Sequence, residues 1–298
     1  MSTVLALIKR NIKLFFKEKG MFFTSLITPA ILLVLYATFL GNVYRDTFEM
    51  NLPDVFPLPD QLLDGLVAGQ LISSLLAVSC VTVAFGSNFL MVQDKVNGSI
   101  KDLRISPVKS SVLALSYYVA TLVSTLLICL TATGICLIYL AVVGWYLSAI
   151  DVLLLVLDVI LLVLFGTALS SAINFFLSSQ GQISAVGTII SAGYGFICGA
   201  YMPISSFSDG LQKVLLFLPG TYGTALIRTH SMQGALAEIQ AQGVPAEVIT
   251  SLKDALDCNL YFLEEQVSVP VMYIILGGTI AVLIGAYILM NAMKKKIS

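Results

Sequence analysis

Charge is scarce in this chain. Only 11% of its 298 residues are Asp, Glu, Lys or Arg, against about a quarter in an ordinary soluble domain. Too few charges remain to solvate a water-exposed globule of this length, so a soluble enzyme is excluded. His230 is the only histidine, which removes HExxH zinc sites and argues against a Ser-His-Asp arrangement. It falls in a stretch expected outside the membrane and reads there as a polar surface residue. The cysteines form no CxxC pair. Cys80, Cys129, Cys136 and Cys198 lie in apolar segments and Cys258 stands alone in a polar one, so they read as small buried hydrophobes with no metal-ligand spacing. No glycine is followed by lysine, so the chain has no Walker A loop and cannot cradle ATP phosphates by that device. The net charge of −1 gives no reason to expect a nucleic-acid partner.

What the chain has instead is apolar length. Hydrophobic residues make up 58% of it and the mean hydropathy is +0.95. Six stretches are each long enough to cross about 30 Å of hydrocarbon: residues 21–40, 65–92, 111–143, 152–177, 183–202 and 269–290. The fold class expected is therefore an all-α membrane protein with six transmembrane helices. Ahead of them, residues 1–19 place Leu5, Ile8, Ile12, Phe15 and Phe16 on one arc and Lys9, Arg10, Lys13 and Lys17 on the next. That pattern predicts an amphipathic helix lying in the interface against membrane lipid. It is not read as a secretory signal, because no small-x-small cleavage site follows the apolar run.

Twelve of the 16 lysines and arginines fall in three places: before the first span, in the loop 93–110, and at Lys294–Lys296. Positive residues concentrate on the cytoplasmic side. Both termini and that loop are therefore expected in the cytoplasm, as in a multi-pass protein of a prokaryotic plasma membrane. Residues 203–268 are expected outside. There Pro203 should end the fifth helix, residues 206–218 should form an apolar helix too short to span, Pro219-Gly220 should break it, and residues 221–232 should form a second. Two short apolar helices about a break predict a re-entrant hairpin between spans five and six. Residues 235–266, with Pro245 and with Val248, Leu252, Leu256 and Leu260 four apart, predict a small external helical cap. The whole of 1–298 then reads as one transmembrane domain.

Three features bear on chemistry. The loop 93–110 combines mixed charge (Asp94, Lys95, Lys101, Arg104) with an Asn97-Gly98 turn, the apolar pair Ile100 and Leu103, and a Ser106-Pro107 stop. It reads either as a solvated positive-inside loop or as an exposed helical knob. Small residues recur every four positions at Gly65, Gly69, Ser73 and Ala77, and again at Gly187, Ser191, Gly195 and Gly199. These faces allow close helix packing in lipid, or meet across a two-fold axis beside a pathway. Gly277, Ala281 and Gly285 are read as ordinary packing. Asp158 lies about two turns inside the fourth span, where an ionised carboxylate costs at least a few kcal/mol without water or a partner. It is either a polar site for substrate or a proton, or a hydrogen-bonded aspartate reaching toward the headgroups.

The loop resembles that of ABC-2 type transporter permeases, whose acidic-basic-acidic triplet, Gly-Thr pair, leucines and Ser/Thr-Pro stop form a coupling helix. Val96 stands here in place of the second acid and Ser99 in place of threonine. Leu218-Pro219-Gly220-Thr221-Tyr222 and Arg228 are similar to the family's external re-entrant helices. The resemblance implies the permease subunit of an ATP-driven exporter and not an enzyme in itself. ATP and Mg would be held by a separate ATP-binding subunit, present in two copies, and the chain itself would carry no cofactor. It implies pairing with a second permease copy or a paralogue, with the two small-residue faces lining the interface and pathway. The coupling residues would be Asp94, Lys95, Gly98, Ile100, Lys101, Leu103, Arg104 and Pro107. In this reading Ile100 and Leu103 enter a groove while Asp94, Lys101 and Arg104 bind its rim, so charge reversal at Asp94 together with Arg104 should leave the permease folded and inserted but uncouple ATPase stimulation from transport. Phe85, Tyr194, Phe196 and Tyr201 offer an apolar, aromatic route. That suits a lipophilic drug, lipid or lipopeptide, with polysaccharide or teichoic acid as the alternative and a secondary transporter or channel as a third reading.

Overall fold

In a computed structural model of the chain the described residues are 2–51, 59–100, 103 and 108–297. The molecule is built almost entirely of helices. α1 (Ser2–Lys17) buries Leu7, Asn11 and Phe15, one residue per turn, and packs on α5 (Ser110–Val143). α2 (Lys19–Leu35) contains Pro29 and runs into a π-helical turn, Tyr36–Leu40, and then α3 (Gly41–Asn51). Gly41 makes that turn possible. Its N–H reaches back to the carbonyl of Tyr36, and a Cβ there would lie 2.9 Å from the same oxygen.

α4 (Asp60–Val96) is the central post. At 37 residues it is about 55 Å long, and it touches α2, α5, α6 (Ala149–Asn174), α7 (Gln180–Ile197) and α9 (Pro219–Ala241). Its most apolar stretch is 83% buried within the chain, against 22% for that of α5. α5 therefore turns most of its surface to lipid, while α4 has almost none left to offer. α6 and α7 both begin with reciprocal caps, Ser148 with Asp151 and Ser179 with Gln182, which satisfy amide donors that helix starts leave unpaired. The cap accounts for Asp151.

Among the described residues five helices are long and apolar enough to cross a membrane: Lys19–Phe48, Asp60–Val96, Ser110–Val143, Ala149–Asn174 and Val269–Met293, the last within α11 (Val269–Ile297). The expected fifth span differs. Its helix, α7, has 18 residues, about 27 Å, and its opening Gln-Gly-Gln and scattered glycines and serines dilute its apolarity. It stops at Ile197 rather than Met202. Gly199 adopts φ 72° and Ala200 N–H bonds back to the Gly195 carbonyl at 2.8 Å, a glycine stop that β-carbon sterics deny to other residues.

The external region also differs in detail. The helix expected over 206–218 is only α8 (Asp209–Leu215) after a 3-10 turn, Ile204–Ser206. Pro219-Gly220 does not break a helix but begins one. Proline at the first position lacks only an N–H that has no helical partner, and α9 then runs unbroken to Ala241. The cap reduces to α10 (Ala246–Ala255) and a hairpin of two short strands, β1 (Tyr261–Phe262) and β2 (Glu265–Gln266). Leu252, Leu256 and Leu260 are buried there. Among the described residues nothing lies within 4 Å of a Cβ built at Gly277 or Gly285, so neither glycine is required by a close contact inside the protomer.

Candidate functional site

The first small-residue face is spent inside the chain. A Cβ at Gly69 would sit 2.9 Å from the Met232 side chain and 2.9 Å from the Ser231 carbonyl, and one at Gly65 would sit 3.1 Å from the Tyr146 ring. Ser73 and Ala77 are fully buried. Gly69 is where α4 receives α9 and Gly65 lies against the α5–α6 connection, so this face is already covered within the protomer. On α7, Gly195 is likewise covered: a Cβ would lie 2.3 Å from the Tyr201 ring. Gly199 is the helix stop. Only Gly187 and Ser191 remain half-exposed, and both line a groove.

That groove lies between α2, α4 and α7. Its volume is about 1120 Å³ and its walls are mainly apolar, with Ile27, Ile31, Phe85, Phe89, Ile190 and Phe196 among them. Tyr201 closes one end. Tyr194 does not line it; its ring turns toward Gly220 at the start of α9. The polar groups facing the groove are chiefly hydroxyls, and several are already committed. Thr24, Ser25, Thr82 and Thr188 each donate to a carbonyl one turn back in their own helix, at 2.6–2.9 Å. They present lone pairs to a guest and no free proton. At Gly86 the floor and one wall come together, since a Cβ there would lie 2.6 Å from Ser25 Cβ. The sequence reading missed Gly86 because it lies off the repeating face.

At the end formed by α1 and the start of the 93–110 loop, the described loop residues behave differently from expectation. Asp94 does not stand at a rim. It is buried, and its Oδ2 accepts from Arg10 Nη1 at 2.8 Å and from the Tyr117 hydroxyl at 2.5 Å. The partnered carboxylate holds the Arg10 proton more firmly than water does, so the guanidinium pKa is raised. Charge reversal at Asp94 would place a second cation beside Arg10 in a buried position, which argues against tolerance of the Asp94 half of the expected double reversal. Lys95 also turns inward, donating to the carbonyls of Asn174, Phe175 and Leu177 at 2.9–3.0 Å. A cation there meets the negative end of α6. Gly98 takes φ 80° in the turn that follows. Ile100 and Leu103 are half-buried against a cluster containing Leu7, Phe15, Met91 and Leu113. Lys101, Arg104 and Pro107 lie outside the described residues. α1, the end of α4 and the start of α5 thus form one locked unit, with Lys9, Lys13, Lys17, Val96 and Asn97 on its exposed side.

A third cluster sits in the opposite half. Asp158, 1% exposed, is met by His230 of α9 and Tyr273 of α11. His230 is therefore no surface residue; it is 6% exposed and contributes the partner that the sequence reading did not find for Asp158. Two residues earlier on α9, the buried Arg228 donates to the Leu256 and Gly199 carbonyls at 2.8 and 2.6 Å. It lies 3.6 Å from Asp257, whose carboxylate also receives the amides of Ile204 and Ser205. Burial outweighs these favourable partners and raises the Asp257 pKa. Arg10, Tyr117, His230 and Tyr273 were not legible as partners, because separations of 23–115 residues between contacts carry no spacing signal.

Residues 2–230 match the sequence model of the family described as ABC-2 type transporter. No curated protein matches the chain.

Proposed function

The chain belongs to the ABC-2 type transporter family, and we propose that it is the permease subunit of an exporter driven by ATP hydrolysis on separate ATP-binding subunits. Family membership makes it a membrane transport subunit. The reading of cargo and direction is ours, and the groove between α2, α4 and α7 carries it. A volume of about 1120 Å³ exceeds the roughly 300–1,000 Å³ of common small-molecule sites, and its lining suits an apolar body. Hydroxyls that already donate to their own backbone offer a sugar few donors, which favours a lipophilic drug, lipid or lipopeptide over a polysaccharide or teichoic acid.

Six spans, with α7 as the fifth, remain our topology. At about 27 Å α7 suits a thinned or closely packed region beside α4. The hairpin α8–α9 reads as re-entrant because its turn lies deep. A Cβ at Gly223 would meet Leu162, which is 13 residues into α6, or about 20 Å along it. Two copies would then pair across the groove's open side, through the face of α7 that exposes Ser184, Thr188, Ile189 and Ala192. The locked unit of α1 and the 93–110 loop would rest on the ATPase, with Asp94 and Lys95 positioning the loop from inside rather than touching the partner. Filling the groove tests this reading. Gly187→Trp should abolish efflux of a lipophilic dye while membrane insertion and co-purification of the ATPase persist; unchanged efflux would remove the groove from the pathway.

A further inference from the structure

Asp158, His230 and Tyr273 come from three different helices and converge on one carboxylate. His230 Nδ1 lies 2.5 Å from Asp158 Oδ2, and the Tyr273 hydroxyl donates to Oδ1 at 2.6 Å. The imidazole stacks on the tyrosine ring, with centroids 6.5 Å apart and planes 22° from parallel. The carboxylate side chain has no exposure, while the imidazole keeps 8%, so a proton reaches the pair through the ring.

Among the described residues no other charged side chain pairs with this group. Arg228, two residues earlier on α9, faces carbonyls and Asp257. On α6, Asp151 is held in the cap with Ser148. α4 brings Gly69 against α9 and the Cys80 thiol against the Val159 carbonyl, and its outer acids, Asp60 and Asp64, pair with Arg45. α5 contains no charged residue, and α11 none before Lys294. On α10, Asp254 bonds Asn259 and Tyr261. The pair therefore gains or loses its proton as an isolated unit.

We propose that Asp158, His230 and Tyr273 form a proton-binding site whose occupancy sets how firmly α9 is held to α6 and α11, so that external pH acts on the transport cycle. With the proton bound, imidazolium and carboxylate cancel and the junction is neutral. When the proton leaves, one uncompensated negative charge stays in a water-poor junction with two hydrogen bonds, and such a charge is expensive to keep buried. The junction loosens as pH rises, and α9 with it. The export reading enters only in assigning the proton to the outer side.

Because the chain has a single histidine, the site can be observed directly. Untagged by histidine, the full chain labelled with 15N-histidine in lipid nanodiscs gives one imidazole to follow by NMR, and a fluorophore at Glu238→Cys, on the exposed side of α9, reports the helix. The imidazole resonance and the fluorophore are expected to change together as pH is raised. Asp158→Asn, which removes the carboxylate, should uncouple the fluorophore from pH, and Tyr273→Phe, which removes one hydroxyl donor to that carboxylate, should displace the common change if the first variant does not fold. An imidazole resonance that does not change with pH, or one that changes while the fluorophore stays flat, overturns the proposal. Neither measurement involves ATP or cargo, so its failure is distinct from failure of the export reading.

Discussion

Gly86→Ala adds one carbon at the crossing of α2 and α4, and the geometry sets its effect. The new Cβ would stand 2.6 Å from Ser25 Cβ and 3.3 Å from Ser25 Cα. Apolar carbons rest about 3.5–4.0 Å apart, so α2 must retreat by roughly 1 Å where it closes the groove. Ser25 has no flexible end to yield, because the clash is at its β-carbon and its backbone. Overpacking of this kind costs about 1–3 kcal/mol, of which alanine's better helix propensity returns up to about 1 kcal/mol. A net penalty of one or two kcal/mol shifts a two-state balance by about 5–30-fold. Efflux of a lipophilic dye should therefore fall at least about fivefold at normal expression, with a lowered unfolding temperature in detergent. Ser25→Gly in the same chain removes the opposing Cβ and should restore both. If Gly86→Ala is as active as the parent and at least as heat-stable, α2 does not pack on α4 as described.

Other perturbations follow from the same contacts. Asp94→Lys should lower the unfolding temperature and abolish coupled transport, while the exchange Arg10→Asp with Asp94→Arg should recover part of both; an Asp94→Lys protein of full stability would contradict the buried pair. Gly195→Leu should abolish efflux because its side chain has to displace Tyr201, whereas Gly278→Leu, with open space around its Cβ, should be near neutral; equal activities would reduce Gly195 to an unconstrained position. Cysteines at Thr188 should crosslink between copies in membranes and cysteines at Gly195 should not, as gel mobility under oxidation will show; the reverse pattern would place the interface elsewhere.

Much of the fold was legible because its signal is local. Apolar length marked α5 and α6 to within three residues and α4 and α11 more coarsely. The periodicity of residues 1–19 announced α1, although its buried stripe is Leu7, Asn11 and Phe15 while Leu5 and Phe16 of the expected apolar arc are exposed. The α7 stop and the start of α9 were harder, because each depends on a backbone device. Gly199 turns left-handed and Pro219 sits in a first-turn position, and a reading by hydropathy takes the one as helix and the other as a break. The small-residue repeats were visible as faces, but not what they face. Gly69 meets Met232 and Gly195 meets Tyr201, contacts set by tertiary packing across the chain. Asp94 and Lys95 of the 93–110 loop were picked out but their inward direction was not, since only the folded chain places Arg10 and Tyr117 around Asp94. His230 was misread for the same reason: a histidine in a polar stretch looks exposed until α9 is seen to lie against α6 and α11.

Uptake by inside-out vesicles of the native membrane bears most directly on the chain as the permease of an ATP-driven exporter. A lipophilic fluorescent probe should accumulate only with hydrolysable ATP, stop on addition of vanadate, and fail to accumulate when the chain carries Gly187→Trp. Accumulation driven by an ion gradient in the absence of ATP, or ATP-driven accumulation untouched by that substitution, would contradict it.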